Sequence, residues 1–429
     1  MKAEGIERGI LIKAVKGTRD LLPPATAVWN HVESVAREVF RRYNYHEIRT
    51  PVFEVTELFA RGVGEETDIV TKEMYTFSDR DRAATSLTLR PENTAPVIRA
   101  YIEHRLDQLP GLKKLFYIGP MFRRERPQKG RYRQFYQIGA ECIGTESPLV
   151  DAEVIEMVMT LFQRTGLEEL ELLLNSVGCK KCRPGYVALL KRELAGVAAN
   201  MCGNCQRRAE TNPLRVLDCK VPEDQATIEA LPSILDHLCE ECREHFHVVR
   251  HCLDKLGISY RITPRMVRGL DYYTRTTFEI VSGALGAQNS VLGGGRYDGL
   301  AEQLGSKAPA PGIGFSIGED RLVMILEELR GEVFAPALDL FVAPVGEDAA
   351  VHAAVLARDL RQAGASVEAA PPGKLKKLLE VSNKLGARFT LIVGENEISS
   401  GAYALKDMKS GEQETLGREQ LKKRFSSNV

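Results

Sequence analysis

The chain has 429 residues, too many for one ordinary hydrophobic core, and this length predicts two or three domains. Its composition, 44% hydrophobic and 27% charged, is typical of a globular protein in water. The 58 basic side chains balance 58 acidic ones, which disfavours a protein that coats nucleic acid through bulk charge. The N-terminus lacks a signal-peptide core, and no apolar run has the length of a membrane span. We therefore predict a cytoplasmic protein that acts neither in a membrane nor on DNA.

The first predicted element is an amphipathic helix over residues 25–43, with Val28, Val32, Val35 and Val39 on one face. The stretch YHEIRTPVFE follows as a predicted strand, with Pro51 at its edge or at a bend. Two β-like runs, LFYIGPMF and QFYQIGAECIG, then flank a segment of turn residues and predict a long hairpin.

The loop of this hairpin concentrates positive charge. Six cations lie within eleven residues, opposed by Glu125 alone: Arg123, Arg124, Arg126, Lys129, Arg131 and Arg133. In a chain with no net charge, such a concentration indicates a local site for an anion. The alternative interpretation is a solvated charged loop, which is the commonest fate of such runs.

Residues 176–260 have a helical pattern and contain most of the cysteines, so we predict a helical insertion. Strand character returns at TTFEIV, and VLGGGRYDGL predicts a glycine-rich turn. The run PGIGFSIGEDRLVMILEEL predicts a strand that enters a helix. Glu319 and Asp320 suit the helix N-terminus, and the predicted apolar stripe is Leu322, Ile325, Leu326 and Leu329.

The last ninety or so residues alternate between strands and helices and end in a basic helix, which predicts a small α/β domain with a mixed sheet. The predicted strands are LDLFVAPVG, ASVEAA, RFTLIVG and AYALKDM. In the basic helix, Arg418, Lys422, Lys423 and Arg424 suit either phosphate contacts or an ordinary solvated end.

Three of these features, in this order, resemble motifs 1, 2 and 3 of the class II aminoacyl-tRNA synthetases: the helix and strand ending in proline, the FRRE hairpin and the GIGFSIGEDRL strand–helix. RGLDYYTRTTFE (268–279) and GGGRYDGL (293–300) resemble two signature segments of the histidyl-tRNA synthetase family. KGTRDLLP (16–23) and LRPENTAPVIRA (89–100) are similar to other segments of that family.

The resemblance implies an α+β fold. Its parts are a class II catalytic core with an antiparallel sheet flanked by helices (1–335), the mainly helical Cys-rich insertion (176–260), and an α/β anticodon-binding domain (336–429). It also implies a histidine–tRNA ligase that uses ATP with Mg²⁺, acts on tRNA(His) and forms a homodimer through the motif 1 helix and strand. Histidine is first activated to histidyl-adenylate and then transferred to the 3′ end of the tRNA.

Three arginines are implied to be catalytic. Arg123 holds the α-phosphate and the amino-acid carboxylate, Arg321 binds the γ-phosphate, and Arg268 lies on the other side of the α-phosphate. Arginine suits these places because its planar fork contacts phosphate oxygens bidentately and stays charged. The alternative interpretation is that each of these arginines is an ordinary surface residue or a salt-bridge partner.

The remaining implied contacts are with the amino acid and the base. Glu92, Thr94 and Gln137 match the positions that hold the α-amino group. Glu141 and Tyr273 match those that reach the imidazole ring, with Tyr272 beside them, and Glu125 is expected near the adenine amino group. A carboxylate and a phenol are suitable partners for two ring nitrogens.

The cysteines form three Cys-x-x-Cys pairs: Cys179/Cys182, Cys202/Cys205 and Cys239/Cys242, with Cys219 between the last two. Two pairs about twenty residues apart have the spacing of a structural Zn²⁺ site. Reduced thiols without a metal, and a redox or iron–sulfur role, are the alternatives, and the resemblance does not decide among them.

Three rival functions are open. One is a non-catalytic, synthetase-like regulatory subunit of the ATP phosphoribosyltransferase of histidine biosynthesis. The retained arginines and the C-terminal domain disfavour it. Another is a class II synthetase for a different amino acid, such as proline, which RGLDYY and GGGRYDGL disfavour. The third is an RNA-binding module, disfavoured by the neutral charge.

Overall fold

A computed structural model describes residues 11–65, 67–80, 84–283, 290–330, 334 and 338–426. The chain divides into two compact units, residues 1–334 and 335–429. The predicted domain boundary at residues 335 and 336 lies outside the described residues. Among the helices that the structure describes, none is long and apolar enough to cross a lipid bilayer.

The first unit combines helices with two sheets. Its described helices are α1 (Thr26–Arg42), α2 (Thr56–Val63), α3 (Thr94–Glu103), α4 (Pro148–Thr165), α5 (Arg183–Ala195), α6 (Gly203–Thr211), α7 (Pro222–Ala230), α8 (Glu240–Lys255), α9 (Leu300–Gln303) and α10 (Glu319–Arg330). Its described strands are β1 (His46–Glu47), β2 (Phe53–Val55), β3 (Tyr75–Ser78), β4 (Ser86–Leu89), β5 (Lys113–Phe122), β6 (Gln134–Ile143), β7 (Leu170–Ser176), β8 (Arg261–Ile262), β9 (Thr274–Ser282), β10 (Ser290–Arg296) and β11 (Gly312–Gly318).

Eight of the described strands form the main sheet, in the order β1-β5-β6-β11-β10-β9-β7-β8. Only the outermost described pairs, β1/β5 and β7/β8, are parallel. On one face, apolar side chains of α1, α4, α8 and α10 pack against alternate strand residues in the main core. The fold is therefore mixed α+β with a large, mostly antiparallel sheet flanked by helices, as predicted.

Pro51 separates two strands where the sequence predicted one. β1 joins the main sheet beside β5, whereas β2 joins a second sheet ordered β2-β4-β3. Proline has no N–H to donate to a ladder, so the chain leaves one sheet there and enters the other. The predicted bend at Pro51 is confirmed, and the continuous strand is wrong.

The glycine-rich run is a strand and not the predicted turn. β10 lies inside the main sheet and pairs antiparallel with both β9 and β11. Its glycines leave room for side chains that cross the face of the sheet, as shown below. In α10, Leu322, Ile325 and Leu326 are buried as predicted, but Leu329 is 60% exposed because it lies in the last turn, beyond the core.

The cysteine-rich segment is helical, as predicted, and α5, α6 and α7 share an apolar cluster of their own. Its ends belong to the main core. Ser176 closes β7 of the large sheet, and the apolar face of α8, with Phe246, Val249 and Leu253, joins the main cluster. The separate part is therefore shorter than 176–260, and below we use "cysteine-rich segment" for residues 179–242.

The second unit has a mixed sheet, as predicted. Its described helices are α11 (Ala349–Gln362), α12 (Leu375–Lys384), α13 (Glu395–Ser400) and α14 (Arg418–Phe425). Its described strands are β12 (Leu338–Pro344), β13 (Val367–Ala369), β14 (Ala387–Val393), β15 (Ala402–Asp407) and β16 (Gln413–Gly417), ordered β13-β12-β14-β15-β16. Sequence reasoning did not identify α13 and β16.

Candidate active site

A cavity of about 320 Å³ opens on the face of the main sheet opposite the main helical core. It is lined by β6, β10 and β11, the hairpin loop and the segment before β9. Nine of the ten predicted site residues line it: Glu92, Thr94, Arg123, Glu125, Gln137, Arg268, Tyr272, Tyr273 and Arg321. The tenth, Glu141, is completely buried and is not among the described lining residues.

Arg123 is fixed just beyond the end of β5. Its Nε donates to the carbonyl oxygen of Pro91 at 2.9 Å, and its guanidinium lies 5.2 Å from the centre of the Phe135 ring. One terminal nitrogen remains 3.8 Å from the Glu125 carboxylate. The side chain is thus held in place by its inner nitrogen, which leaves the fork directed at the cavity.

Arg268 comes from the loop before β9. Its Nη1 lies 3.0 Å from the Glu279 carboxylate, and its own carbonyl accepts a 3.0 Å hydrogen bond from Arg215. The guanidinium occupies the space that a Cβ at Gly293 would fill. Glycine at this point of β10 is therefore what allows Arg268 to lie flat against the sheet.

Arg321 lies in the first turn of α10 and also lines the cavity. Its Nη1 donates to the Ser290 carbonyl at 2.6 Å, and its Nε donates to the Gly130 carbonyl at 3.4 Å. Burial, with Arg131 as the largest nearby charge, holds the pKa of Arg321 below its ordinary value. Cations brought together in a partly dry cavity repel one another, and a bound polyanion relieves that cost.

Glu92 and Thr94 form the start of α3. The Glu92 carboxylate accepts from the Thr94 and Ala95 backbone N–H groups at 2.7 and 3.0 Å. Burial raises the pKa of Glu92. Its side chain thus caps a helix N-terminus while facing the cavity, and the two backbone hydrogen bonds partly offset the effect of burial on its pKa.

Glu141 sits behind the wall of the cavity. One carboxylate oxygen accepts from the Thr94 hydroxyl and the other from the Tyr297 hydroxyl, each at 2.7 Å. A Cβ at Gly314 would overlap this carboxylate, so β11 carries glycine opposite it. Burial raises the pKa of Glu141 to about 8. The group is therefore an acid whose charge depends on what enters the neighbouring space.

Tyr272 and Tyr273 are buried beside each other, with ring centres 4.8 Å apart. An added Cβ at Gly295 would lie 2.8 Å from the Tyr273 ring, so a glycine again allows the approach. On β6, the Gln137 amide donates to the Ser316 hydroxyl at 3.2 Å. The side-chain oxygen of Gln137, Oε1, has no hydrogen-bond partner among the described residues.

The other cations of the hairpin loop fall into two groups. Arg131 lies 2.6 Å from Glu125 in the cavity wall, and Arg133 donates to the Lys16 carbonyl at 3.2 Å. Arg124, Arg126 and Lys129 are exposed. The loop therefore directs Arg131 to the cavity, binds Arg133 to the backbone of Lys16 and exposes the other three cations, a division that the sequence alone did not reveal.

Several residues that shape the site were missed from the sequence. Glu279 pairs with Arg268 and ends the same RGLDYYTRTTFE segment, so its position gave a signal that could have been used. Ser316 and Arg215 gave none, because their contacts depend on strand register and on the segment's fold. Arg296, left unassigned from sequence, is fully buried and bonds to Asp151 at 3.1 Å and Asp298 at 2.9 Å, which makes it structural.

The cysteines form two groups of four possible metal ligands, and the pairs that the sequence suggested together, about twenty residues apart, are in different groups. The first group is Cys179, Cys182, Cys239 and Cys242; the second is Cys202, Cys205, Cys219 and Asp224. The pairing from spacing is wrong because Cys219 and Asp224 are folded next to Cys202, while α8 begins beside Cys179.

Comparison with known proteins now bears on this geometry. The family described as Histidyl-tRNA synthetase matches residues 17–322, and the one described as Anticodon binding domain matches residues 339–428. The histidine–tRNA ligase of Solibacter usitatus (strain Ellin6076) is 69% identical over 97% of this chain and 99% of that protein. That of Koribacter versatilis (strain Ellin345) is 58% identical over 96% of this chain and 95% of that protein.

A solved structure gives the same result. The apo histidyl-tRNA synthetase of S. aureus matches with a TM-score of 0.81 and 39% identity, covering 97% of this chain and 100% of that one. Similarity of this degree extends over the core, the cysteine-rich segment and the C-terminal unit. The chain belongs to the histidyl-tRNA synthetase family.

Proposed function

We propose that this chain is a histidine–tRNA ligase. In the first reaction, a carboxylate oxygen of histidine attacks the α-phosphorus of ATP, the bond to the bridging oxygen breaks, and pyrophosphate leaves with the electron pair. In the second, a ribose hydroxyl at the tRNA 3′ end attacks the activated carbonyl, loses its proton and displaces AMP. The observation that carries the proposal is the convergence of Arg123, Arg268 and Arg321 from three separate elements on one cavity.

The first reaction brings an anionic nucleophile to a polyanion, so fixed positive charge is what the site must supply. Arg123, from the hairpin, and Arg268, from the loop before β9, both line the cavity and suit the α-phosphate. Arg321, bound to the backbone at Ser290 and Gly130, suits the far end of the triphosphate. Because all three are anchored before substrate arrives, little reorganisation is needed during reaction.

Recognition of histidine requires a place for an ammonium group and a place for an imidazole. Glu92 and the unsatisfied carbonyl oxygen of Gln137 supply acceptors for the ammonium group. Thr94 and the two tyrosines line the cavity and suit the ring nitrogens, and Glu141 lies behind Thr94, whose hydroxyl donates to it. A site built from polar groups rejects side chains that cannot hydrogen-bond, because its groups would then stay unpaired.

The second reaction needs the end of a tRNA at the mouth of the cavity. Arg124 and Arg126 are exposed on the hairpin loop and suit phosphates of an incoming acceptor strand, whereas Lys129, also exposed, is paired with Glu328 at 2.6 Å. The C-terminal unit suits the anticodon, in keeping with its family. In α14, ion pairs engage Arg418, Lys422 and Arg424, which leaves Lys423 as the better candidate for a phosphate contact.

Class II synthetases use ATP with Mg²⁺, and the cavity suits this complex. The Glu279 carboxylate lines it and offers the oxygen ligands that Mg²⁺ prefers, whereas Glu125, also in the lining, suits the adenine amino group. The ion would neutralise phosphate charge when bound. Structural zinc in the cysteine-rich segment also belongs to the proposal.

We also propose a homodimer and a cytoplasmic location, where histidine, ATP and tRNA meet. Supporting the dimer, the β2-β4-β3 sheet next to motif 1 exposes apolar rings that water does not favour. Phe53 is 53% exposed and Phe77 46% exposed, with ring centres 6.4 Å apart. Phe53→Asp with Phe77→Asp should give a monomer by sedimentation, and an unchanged mass would exclude this surface.

The test of the activity is pyrophosphate–ATP exchange with each of the twenty amino acids. We expect exchange with histidine and a background signal with the others. Absence of exchange with every amino acid would contradict the proposal and favour the regulatory subunit. The full-length, high-identity relatives support the ligase over that alternative.

A further inference from the structure

We propose that the cysteine-rich segment binds two zinc ions at separate structural sites, one with four cysteines and one with three cysteines and an aspartate. The first site is Cys179, Cys182, Cys239 and Cys242, and the second is Cys202, Cys205, Cys219 and Asp224. This inference does not depend on the proposed ligase activity. It replaces the pairing that the spacing of the cysteines suggested.

The first site joins the two ends of the segment. The Cys179 sulfur lies 3.9 Å from that of Cys182 and 3.8 Å from that of Cys239, and Cys182 lies 3.9 Å from Cys242. A zinc–sulfur bond of about 2.3 Å in a tetrahedron places neighbouring sulfurs about 3.8 Å apart. A disulfide needs about 2.05 Å, so these sulfurs are spaced for a metal rather than for each other.

The backbone around the first site is arranged as in a metal-binding turn. The N–H groups of Cys179 and Lys181 donate to the sulfurs of Cys182 and Cys179 at 3.3 and 3.4 Å. Gly178, at φ +66°, lets the chain turn with the Cys182 sulfur close against it. Donated N–H groups stabilise thiolate over thiol, and thiolate is the form that binds zinc.

The second site adds a carboxylate. The Cys202 and Cys219 sulfurs are 3.8 Å apart, and an Asp224 oxygen lies 3.2 Å from the Cys219 sulfur. Asp224 is only 3% exposed. The Cys202 N–H donates to the Asp224 carboxylate at 3.1 and 3.3 Å, which holds the carboxylate beside the thiols. Carboxylate oxygen is an accepted zinc ligand.

Both sites lie next to backbone that reaches the active-site cavity. Arg183, directly after Cys182, donates to the Val177 carbonyl at 2.9 Å and also bonds to the Tyr273 carbonyl. Arg215, four residues before Cys219, donates to the Arg268 carbonyl at 3.0 Å. The metals thus hold the two arginines that position the loop carrying Arg268 and Tyr273.

The experiment is elemental analysis of the full-length protein, purified without chelator. We expect about two zinc ions per chain, no iron and no acid-labile sulfide. Cys239→Ser with Cys242→Ser should leave one zinc, and Cys202→Ser with Asp224→Asn should also leave one. Cys252→Ser is the matched control, since this cysteine belongs to neither group, and it should keep both ions.

The wild-type stoichiometry decides the proposal even where a variant does not fold. Zero or one zinc per chain would overturn it, and so would iron with sulfide. Loss of both zinc ions from a paired variant that keeps the far-UV circular dichroism spectrum of wild type would overturn the separation of the sites. Loss of an ion from the Cys252→Ser variant would also overturn the proposed ligand sets, because Cys252 belongs to neither group.

Discussion

The sheet beneath the cavity and the cysteine-rich segment hold their residues in place by different means. The sheet is packed with large, fully buried apolar side chains such as Ile138, Phe278 and Ile313. The segment has three short helices and a small core into which Cys205 and Cys242 are built. A small core contributes little stability, so such a region needs cross-links that the sheet does not. If the proposed zinc ions are bound, the site is held by packing on one side and by metal ligation on the other.

The largest effect is expected where the two regions meet, at Arg268. For Arg268→Ala, we predict a loss of histidine-dependent pyrophosphate exchange of at least about 100-fold, because a fixed charge at the reacting phosphate is removed. Filter binding should show nearly unchanged affinity for tRNA. Exchange within a few-fold of wild type would contradict the role proposed for this arginine.

Gly293→Ala should act on the same arginine from the sheet side. The added methyl group overlaps the Arg268 guanidinium and pushes it off the face of β10. We predict a fall in the exchange rate of about 10-fold or more, since small misplacement of a charge is costly. The far-UV circular dichroism spectrum should remain that of wild type. If activity is retained, the glycine does not set the position of Arg268.

The buried acid of the sheet predicts a pH effect. Folding raises the pKa of Glu141 from an ordinary 4.5 to about 8, so the folded state keeps a proton that the unfolded state releases between these values. Unfolding is therefore favoured as pH rises from about 4.5 to 8, and this contribution stops changing above the folded pKa.

Glu141→Gln removes this titration. Urea unfolding at pH 5 to 8 should give a flatter dependence of the free energy of unfolding on pH, by up to about 1.4 kcal/mol per pH unit. Wild type is the reference at each pH. An unchanged slope would show that Glu141 ionises normally in the folded protein.

The smallest effect is expected in the cysteine-rich segment. Gly185 lies in α5 with open space around its Cα, so Gly185→Ala adds a methyl group without a clash. We predict stabilisation of about 0.5–1 kcal/mol from the higher helix propensity of alanine. Gly185→Ala is the control for Gly293→Ala, because it makes the same substitution where the added methyl group meets no atom. Pyrophosphate exchange should therefore be unchanged. Inactivation would mean that the segment tolerates less than its packing indicates.

The hairpin, the strand–helix of α10 and the mixed C-terminal sheet followed from periodicity and turn residues, which are local signals. The resemblance to a family brought Arg123, Arg268 and Arg321 together before the fold was known. Two features were beyond local reasoning. The run Gly293–Gly295 has the composition of a turn, but backbone pairing with β9 and β11 makes it a strand, and close neighbouring atoms leave no room for side chains there.

The cysteine pairing failed for a similar reason. Spacing along the chain suggested Cys179/Cys182 with Cys202/Cys205, yet the fold brings Cys239 to Cys179 across sixty residues. Asp224 could not be identified as a companion of Cys219 without the turn that joins them. Which cysteines come together across a long stretch of chain is determined by tertiary packing, and a short sequence motif carries no information about it.

The three glycines of β10 have a consequence for how this gene can vary. Every single-nucleotide missense change in a glycine codon introduces a residue with a Cβ. At Gly293, Gly294 and Gly295, that atom enters space held by Arg268, Phe278 and Tyr273. At these three codons every single-nucleotide missense change therefore creates a steric clash, so the shape of the active site depends partly on the absence of three Cβ atoms.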